Sequence, residues 1–186
     1  MLRTVLLIGL AAILGGCAVS RVSSIKAPIH GTYSKIMIYA AYGDIEERGN
    51  YEMAMYYAFR GQGINCFRSI DCFPPLRDYS DSEQKAYMNN AGIDAFLNLK
   101  PQGSNTVAKT TYNSLTGSYD TRNSLDAVYV EATIMDTKTE KSVYRASVST
   151  SLGELTDMRT ARQSAATEIC DDLTEAGFLK QTLKPQ

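Results

Sequence analysis

The chain has 186 residues, and its 19 lysines and arginines nearly balance its 20 aspartates and glutamates, giving a formal net charge of −1. It lacks the strong positive charge of a nucleic-acid-binding protein, so we expect no nucleic-acid partner. With 44% apolar and 21% charged residues, the composition is that of a globular protein rather than a disordered or fibrous one, and the length predicts one domain.

The N-terminus has the layout of an export signal. Arg3 precedes an apolar run from Val5 to Leu14, and two glycines then lead to Cys17. A helix of ten residues rises only about 15 Å, half of the roughly 30 Å hydrocarbon core of a bilayer. The pattern therefore favours a cleaved leader over a permanent membrane span.

The residues around Cys17 resemble the lipobox of bacterial lipoproteins, in which the cysteine is acylated and becomes the first residue of the mature protein. The resemblance implies a signal peptide over 1–16 and a membrane anchor, with palmitate or a similar acyl chain on Cys17. Ala18 follows the cysteine, and by the same resemblance this implies the periplasmic face of the outer membrane, since an aspartate there favours the inner membrane. An inner-membrane anchor is the alternative. An ordinary secretory leader cut elsewhere would leave Cys17 as a plain thiol.

The first part of the mature chain is predicted to be a tether followed by alternating strands and helices. Residues 17–34 show no helical or strand period, so we predict a lipidated N-terminus and linker there, and a single domain over 35–180. The predicted elements up to residue 79 are a buried strand over 35–42, a helix from Asn50 to Gly61, a strand over 64–68 and a proline-containing loop over 69–79.

The second part begins with capping-box spacing between Ser80 and Glu83. Further elements are a helix over 81–91, a strand over 93–99 with Phe96 on its opposite face, a polar solvent-facing strand and turn over 103–123, a hairpin of 125–135 with 142–149, and a helix from residue 156 or 157 to a stop at Gly177. This order predicts an α/β (α+β) fold with a single mixed sheet of about five to six strands, a C-terminal antiparallel hairpin and helices packed against the sheet.

The layout resembles a family of small bacterial periplasmic lipoproteins that includes the activator lipoprotein of a penicillin-binding protein and the curli-secretion lipoprotein. The stretches that carry the resemblance are Asn90 to Leu97, Val128 to Tyr144 with its turn at Asp136, and the end of the last helix from Leu173 to Gly177. The resemblance implies an α/β domain and a role in the cell envelope. It implies no catalytic residue.

Motifs that would indicate an enzyme or a cofactor are missing from the sequence. The single histidine, His30, lies in the predicted linker, and no phosphate-binding loop, dinucleotide fingerprint or zinc-binding spacing occurs. We therefore expect no catalytic residue, no metal and no cofactor. Carboxylates such as Asp71 and Asp94 leave a hydrolytic activity on cell-wall glycan possible in principle.

Three cysteines remain once Cys17 is acylated. Cys66 and Cys72 have a spacing suited to a small loop-closing disulfide in an oxidising compartment, which predicts a bridge between them. Two reduced, half-buried thiols are one alternative, and a bridge from Cys170 to either of them is another. For Cys170 itself, beside Ile169 on the last helix, a buried free thiol is expected.

Aromatic and arginine side chains gather around the predicted loop. This candidate binding loop consists of Phe67, Arg68, Phe73, Arg77 and Tyr79. Such residues are enriched at contact surfaces, although some of the rings would pack inward as core. The sequence as a whole predicts a lipid-anchored periplasmic protein that binds an envelope protein partner as a non-enzymatic accessory or assembly factor. The alternative is a periplasmic protein that binds or hydrolyses cell-wall glycan or peptide.

Overall fold

The computed structural model describes residues 18–28, 31–114, 117–153 and 156–182. Cys17 and His30 lie outside these ranges. The strands are β1 (Val19–Lys26), β2 (Lys35–Ala40), β3 (Asn65–Arg68), β4 (Ala95–Asn113), β5 (Ser118–Asp136) and β6 (Ser142–Ser151). The helices are α1 (Ile45–Gly61), α2 (Ser69–Cys72), α3 (Asp81–Ala91) and α4 (Met158–Glu175).

The strands form one six-stranded mixed sheet in the order β1-β6-β5-β4-β2-β3. Strand β2 is parallel to both β3 and β4, and the other neighbours are antiparallel. Strands β5 and β6 form the C-terminal antiparallel hairpin. The predicted fold class is therefore confirmed.

Helices α1 and α4 pack against each other and against one face of the sheet, α1 over β2 and β3 and α4 over β1 and β6. Residues alternate between the two faces of a strand, so β2 turns Ile36, Ile38 and Ala40 into this helix-covered core. Helix α4 turns an apolar stripe into the same core, where Ala165, Ile169 and neighbouring residues are buried.

The local helix signals also act as predicted. The Ser80 side chain accepts a hydrogen bond from the Glu83 backbone N–H while the Glu83 side chain accepts from the Ser80 N–H, which completes the capping box of α3. At the end of α4, Gly177 has φ +76°, and the N–H of Phe178 donates to the Leu173 carbonyl at 3.0 Å. Phe178 is fully buried there.

Residues 19–26 contradict the predicted linker. They form β1, which pairs with β6 along its whole length at an edge of the sheet. Its buried side chain is Ser20, whose hydroxyl is hydrogen-bonded to Thr150 and Ser164, each at 2.8 Å. The strand is therefore held by backbone pairing and hydroxyl contacts to distant residues rather than by an apolar stripe of its own.

Two other boundaries differ from the prediction. Helix α1 begins at Ile45, because the Asp44 side chain accepts from the Glu47 N–H at 2.8 Å and caps the helix before Asn50. The predicted loop over 69–79 begins with the short helix α2. In the part of the chain that the structure describes, no helix combines the length and apolar character needed to cross a bilayer.

Candidate functional site

A cleft lies on the open face of the sheet, the face opposite α1 and α4. Its floor is formed by Met37 and Tyr39 of β2 and Phe96 of β4, and its wall by the segment from α2 to α3. The cleft has a volume of about 470 Å³, within the roughly 300–1,000 Å³ typical of pockets for small ligands or side chains.

The floor of the cleft is an aromatic platform. Tyr39 and Phe96 are stacked, with ring centroids 5.8 Å apart and planes within 25° of parallel. Met37, which pairs with Phe96 across the sheet, is completely buried beside them. Strand alternation directs these side chains away from the helix-covered core, so an apolar surface faces the cleft.

The wall contains three of the five residues of the predicted binding loop, Phe73, Arg77 and Tyr79. Phe73 packs edge-to-face on Tyr79, with 5.3 Å between centroids, and the Arg77 guanidinium lies 4.0 Å from the centre of the Tyr79 ring. Arg77 also forms a 3.0 Å ion pair with Glu83 of α3. Hydrogen bonds from Ser80 and from Arg77 lower the pKa of the Glu83 carboxyl, so this pair is charged at neutral pH.

Phe67 and Arg68, the other two predicted loop residues, line a separate groove beside α1. Arg68 is held there by Asp71, with Nη2 and Nε donating to the two carboxylate oxygens at 2.7 and 2.8 Å. The structure thus divides the predicted binding loop between two places. Whether either place binds a ligand stays a prediction.

Arg48 of α1 forms the rim of the cleft and is held by a buried carboxylate. Its guanidinium carbon lies 4.8 Å from the centre of the Tyr39 ring. Nε donates to Glu52 at 3.0 Å and Nη2 donates to the Ser69 hydroxyl at 2.8 Å. The third nitrogen, Nη1, donates no hydrogen bond to an acceptor among the described residues, so it can donate to a ligand.

Glu52 is fully buried and is the centre of this arrangement. Besides Arg48, it accepts hydrogen bonds from the Ser69 hydroxyl at 2.7 Å and from the backbone N–H groups of Ile70 and Ala40 at 2.9 and 3.3 Å. The carboxylate therefore ties α1, the end of β2 and the start of α2 together. Since Arg48 is fixed before any ligand arrives, little conformational entropy would be lost on binding.

No sequence motif pointed to Tyr39, Arg48 or Glu52, or to the role of Phe96. One signal was available: Phe96 interrupts the apolar alternation of its strand, which places a large aromatic side chain outside the helix-covered core. Chemically the cleft offers stacked rings, one held guanidinium and polar groups at its rim. Within the described residues, no group of three or more His, Cys, Asp and Glu side chains is placed to hold a metal ion.

Cys66, Cys72 and Cys170 are free thiols in the structure, so the predicted Cys66–Cys72 bridge is not formed in it. Cys66 is buried in β3, where its Sγ donates to the Tyr56 carbonyl at 3.7 Å, and Cys170 is buried in α4 as expected. Burial raises the pKa of both Cys66 and Cys170 to about 12. Burial also raises the pKa of Cys72, which is partly exposed.

We predict that iodoacetamide modifies Cys72 first in the folded protein, and Cys66 and Cys170 only after unfolding, because the buried thiols are neither ionised nor accessible near neutral pH. Peptide mass spectrometry after labelling under non-reducing conditions measures this order. Recovery of a linked peptide containing Cys66 and Cys72, two hydrogens lighter than the sum of its parts, would instead show the bridge.

A second exposed feature is a two-stranded arm, formed by 106–113 of β4 and 118–126 of β5. The polar stretch predicted over 103–123 is therefore strand on both sides of a turn. Strand β2 pairs with β4 only up to Leu99, and β6 pairs with β5 only from Ala127 onward. From Thr106 onward in β4 and before Ala127 in β5, the two long strands pair only with each other among the strands of the sheet. The arm therefore extends past the body of the sheet.

No protein-family model matches the chain, and no curated protein matches it. Among solved structures, a dodecamer of a single-residue variant of PelC from Paraburkholderia phytofirmans superposes with a TM-score of 0.54 at 10% identity, covering 86% of this chain and 99% of that one. A second PelC dodecamer from the same organism gives 0.50 at 12% identity, covering 87% and 99%. Lipoprotein GNA1162 from Neisseria meningitidis is a looser match, with a TM-score of 0.41 at 12% identity over 77% of this chain and 94% of that one. At these identities the PelC matches show a shared fold and nothing further.

Proposed function

We propose that the protein is a lipid-anchored protein of the bacterial cell envelope that acts without catalysis, by binding a segment of a partner protein in the cleft. The observation that carries the proposal is the Tyr39–Phe96 platform beside an arginine fixed by a buried carboxylate. Aromatic and arginine side chains in a preformed depression are the residues that dominate protein–protein binding energy.

The chemistry of the cleft defines the partner segment. An apolar or aromatic side chain would pack on the rings of Tyr39 and Phe96, and a backbone carbonyl or carboxylate would accept from Nη1 of Arg48. The charges of Arg48 and Arg77 are already paired with Glu52 and Glu83. The cleft therefore suits a segment of low net charge rather than a strongly acidic one.

The cellular localisation of the protein is proposed from the sequence around Cys17. A thioether-linked lipid there would hold the domain on a membrane, and Ala18 favours the periplasmic face of the outer membrane over the inner membrane. The fold shared with PelC from Paraburkholderia phytofirmans is compatible with an envelope protein.

Cell-wall glycan is the second candidate ligand, and one observation favours it. A stacked ring pair beside planar polar side chains, as in Tyr39 and Phe96 with Arg48, presents a surface on which the apolar face of a sugar ring can lie while its hydroxyls bond the rim. Both candidates use the same cleft, so one set of variants distinguishes them.

The test places the photocrosslinking residue p-benzoylphenylalanine at position 79 in the full-length lipidated protein, in living cells. We expect crosslinks to one defined protein, identified by mass spectrometry and lost when Phe96→Ala removes half of the platform. A matched probe replaces Ile45, which is 57% exposed on α1 and does not line the cleft. Crosslinks of equal strength from both positions would contradict the proposal.

The same variants are tested for retention on isolated cell wall. If the protein is retained on cell wall, Phe96→Ala abolishes that retention and position 79 gives no crosslink to a protein, then the cleft binds glycan and the protein partner is wrong. Because both PelC matches are dodecamers, the crosslinked product is also compared with the mass of a second copy of this chain.

A further inference from the structure

The arm leaves the sheet at the end where the membrane anchor is proposed to lie. In the register of the sheet, Val19 of β1 stands opposite Ser151 of β6, and Ser151 stands opposite Ala127 of β5. Ala127 is the residue of β5 that directly follows the arm. Since β1 and β5 are both antiparallel to β6, they run in the same direction, and the chain that precedes Val19 leaves the body beside the base of the arm.

The distance between the anchor and the body is short. Ser164 of α4 donates a hydrogen bond to the carbonyl of Ala18 at 3.3 Å, which holds this residue against the domain. Cys17 is the residue before Ala18 in the sequence, and the two peptide units that separate it from Val19 span at most about 8 Å. A lipid on Cys17 therefore brings the bilayer surface close to this end of the sheet.

The arm is longer than this tether. The nine residues from Ser118 to Asp126 span about 30 Å at the usual rise of a strand. An arm of that length, leaving the body at the end where the anchor is proposed to lie, is long enough to reach a bilayer surface there. It does not enter the hydrocarbon as a free ribbon, because both of its edges carry backbone groups that no other strand pairs within the described residues.

The far end of the arm has the chemistry of a membrane interface. Tyr112 and Tyr119 stand opposite each other near the turn, with ring centroids 5.2 Å apart, and they are 56% and 75% exposed. Two pairs closer to the body, Thr110 and Thr121 share a 3.0 Å hydrogen bond between their hydroxyls on the same face. Tyrosine is favoured at the headgroup level because its ring is apolar and its hydroxyl remains hydrated.

We infer that the arm is a second membrane contact, with the face that carries Tyr112 and Tyr119 lying in the headgroup layer of the bilayer to which Cys17 is anchored. The inference rests on the lipid anchor of the proposed function and is independent of what the cleft binds. The two contacts together fix the orientation of the domain on the membrane, whereas a single lipid would leave it free to rotate.

The test uses tryptophan fluorescence, because the chain contains no tryptophan of its own. Full-length lipidated Tyr119→Trp is reconstituted on vesicles of phosphatidylethanolamine and phosphatidylglycerol, with and without lipids brominated along the acyl chain near the headgroup. We expect a blue shift on vesicles and loss of most of the emission with brominated lipid. Tyr57→Trp, at a position 59% exposed on α1 near the opposite end of the sheet, is the control and is expected to change little.

Flotation of the same samples separates the two proposals. If neither variant floats with the vesicles, both the anchor and the arm contact are wrong. If both float and the emission of Tyr119→Trp is as insensitive to brominated lipid as that of Tyr57→Trp, the arm contact alone is wrong. A blue shift of Tyr119→Trp that grows with protein concentration without vesicles would assign the arm to a second copy of the chain and overturn the membrane contact.

Discussion

Glu52→Ala is expected to lower the free energy of unfolding by about 3–5 kcal/mol, the usual cost of removing one partner of a buried ion pair. The carboxylate is fully buried and accepts from Arg48, from the Ser69 hydroxyl and from two backbone N–H groups. Without it, the Arg48 guanidinium loses its counter-charge in a largely buried position, and the donors at the start of α2 lose their acceptor. The cleft rim should loosen together with the fold.

Urea unfolding followed by circular dichroism measures this difference. Glu46→Ala is the matched control, since Glu46 is exposed in the first turn of the same helix, where a carboxylate contributes only about 0.3–1 kcal/mol through the helix dipole. Glu52→Gln should lie between the two variants because it keeps an acceptor but removes the charge. A free energy of unfolding for Glu52→Ala within about 1 kcal/mol of the unmodified protein would show that the network has no such role.

Elements whose signals are local could be predicted from the sequence. The capping box at Ser80 and the helix stop at Gly177 depend on residues a few positions apart, and the structure forms both as predicted. Helix α1 shows the limit of such signals. Its apolar stripe starts at Tyr51, whereas the helix itself starts at Ile45 because Asp44 caps it. A stripe marks where a helix is buried, not where it begins.

Strand β1 could not be predicted because its stability comes from distant partners. Its pairing strand β6 lies more than a hundred residues away, and the hydroxyl of Ser20 is satisfied by Thr150 and Ser164. A sequence of serines with a few isolated apolar residues is equally typical of a tether. This strand places residue 19 beside the base of the arm, so the inference about the membrane contact depends on the element that was not predicted.

The candidate site was predicted only in its continuous part. Phe73, Arg77 and Tyr79 lie close together in the sequence, and their composition indicated a contact surface. The platform and the rim come from β2, β4 and α1, which only the folded sheet brings together. Arg48 and Glu52 have the i, i+4 spacing of an ordinary exposed ion pair. Burial is what distinguishes them, and burial is a property of the tertiary structure.

Cys17→Ser is expected to abolish lipid attachment, cleavage before residue 17 and anchoring of the protein to the membrane. An acylated cysteine with two or more chains anchors a protein stably, because burial of acyl chains contributes about 0.8 kcal/mol per methylene and a single chain is only marginal. The intact mass of the wild-type mature protein should therefore equal that of a chain starting at Cys17 plus the attached lipid. The serine variant should show no lipid and no cleavage before residue 17, whereas globomycin, which blocks cleavage after acylation, should cause a lipid-bearing precursor of the wild-type protein to accumulate.

Ala18→Asp is the matched variant, since it leaves the acylated cysteine in place and changes only the neighbouring residue. It should keep the lipid mass but move the protein from the outer-membrane to the inner-membrane fraction in a sucrose gradient. Because the Ala18 carbonyl, rather than its side chain, accepts the hydrogen bond from Ser164, the substitution leaves this contact with α4 available. If the wild-type protein has the mass of a lipid-free chain that still contains Met1, the proposed anchor is wrong. The membrane orientation inferred for the arm is then wrong as well, because it depends on the anchor.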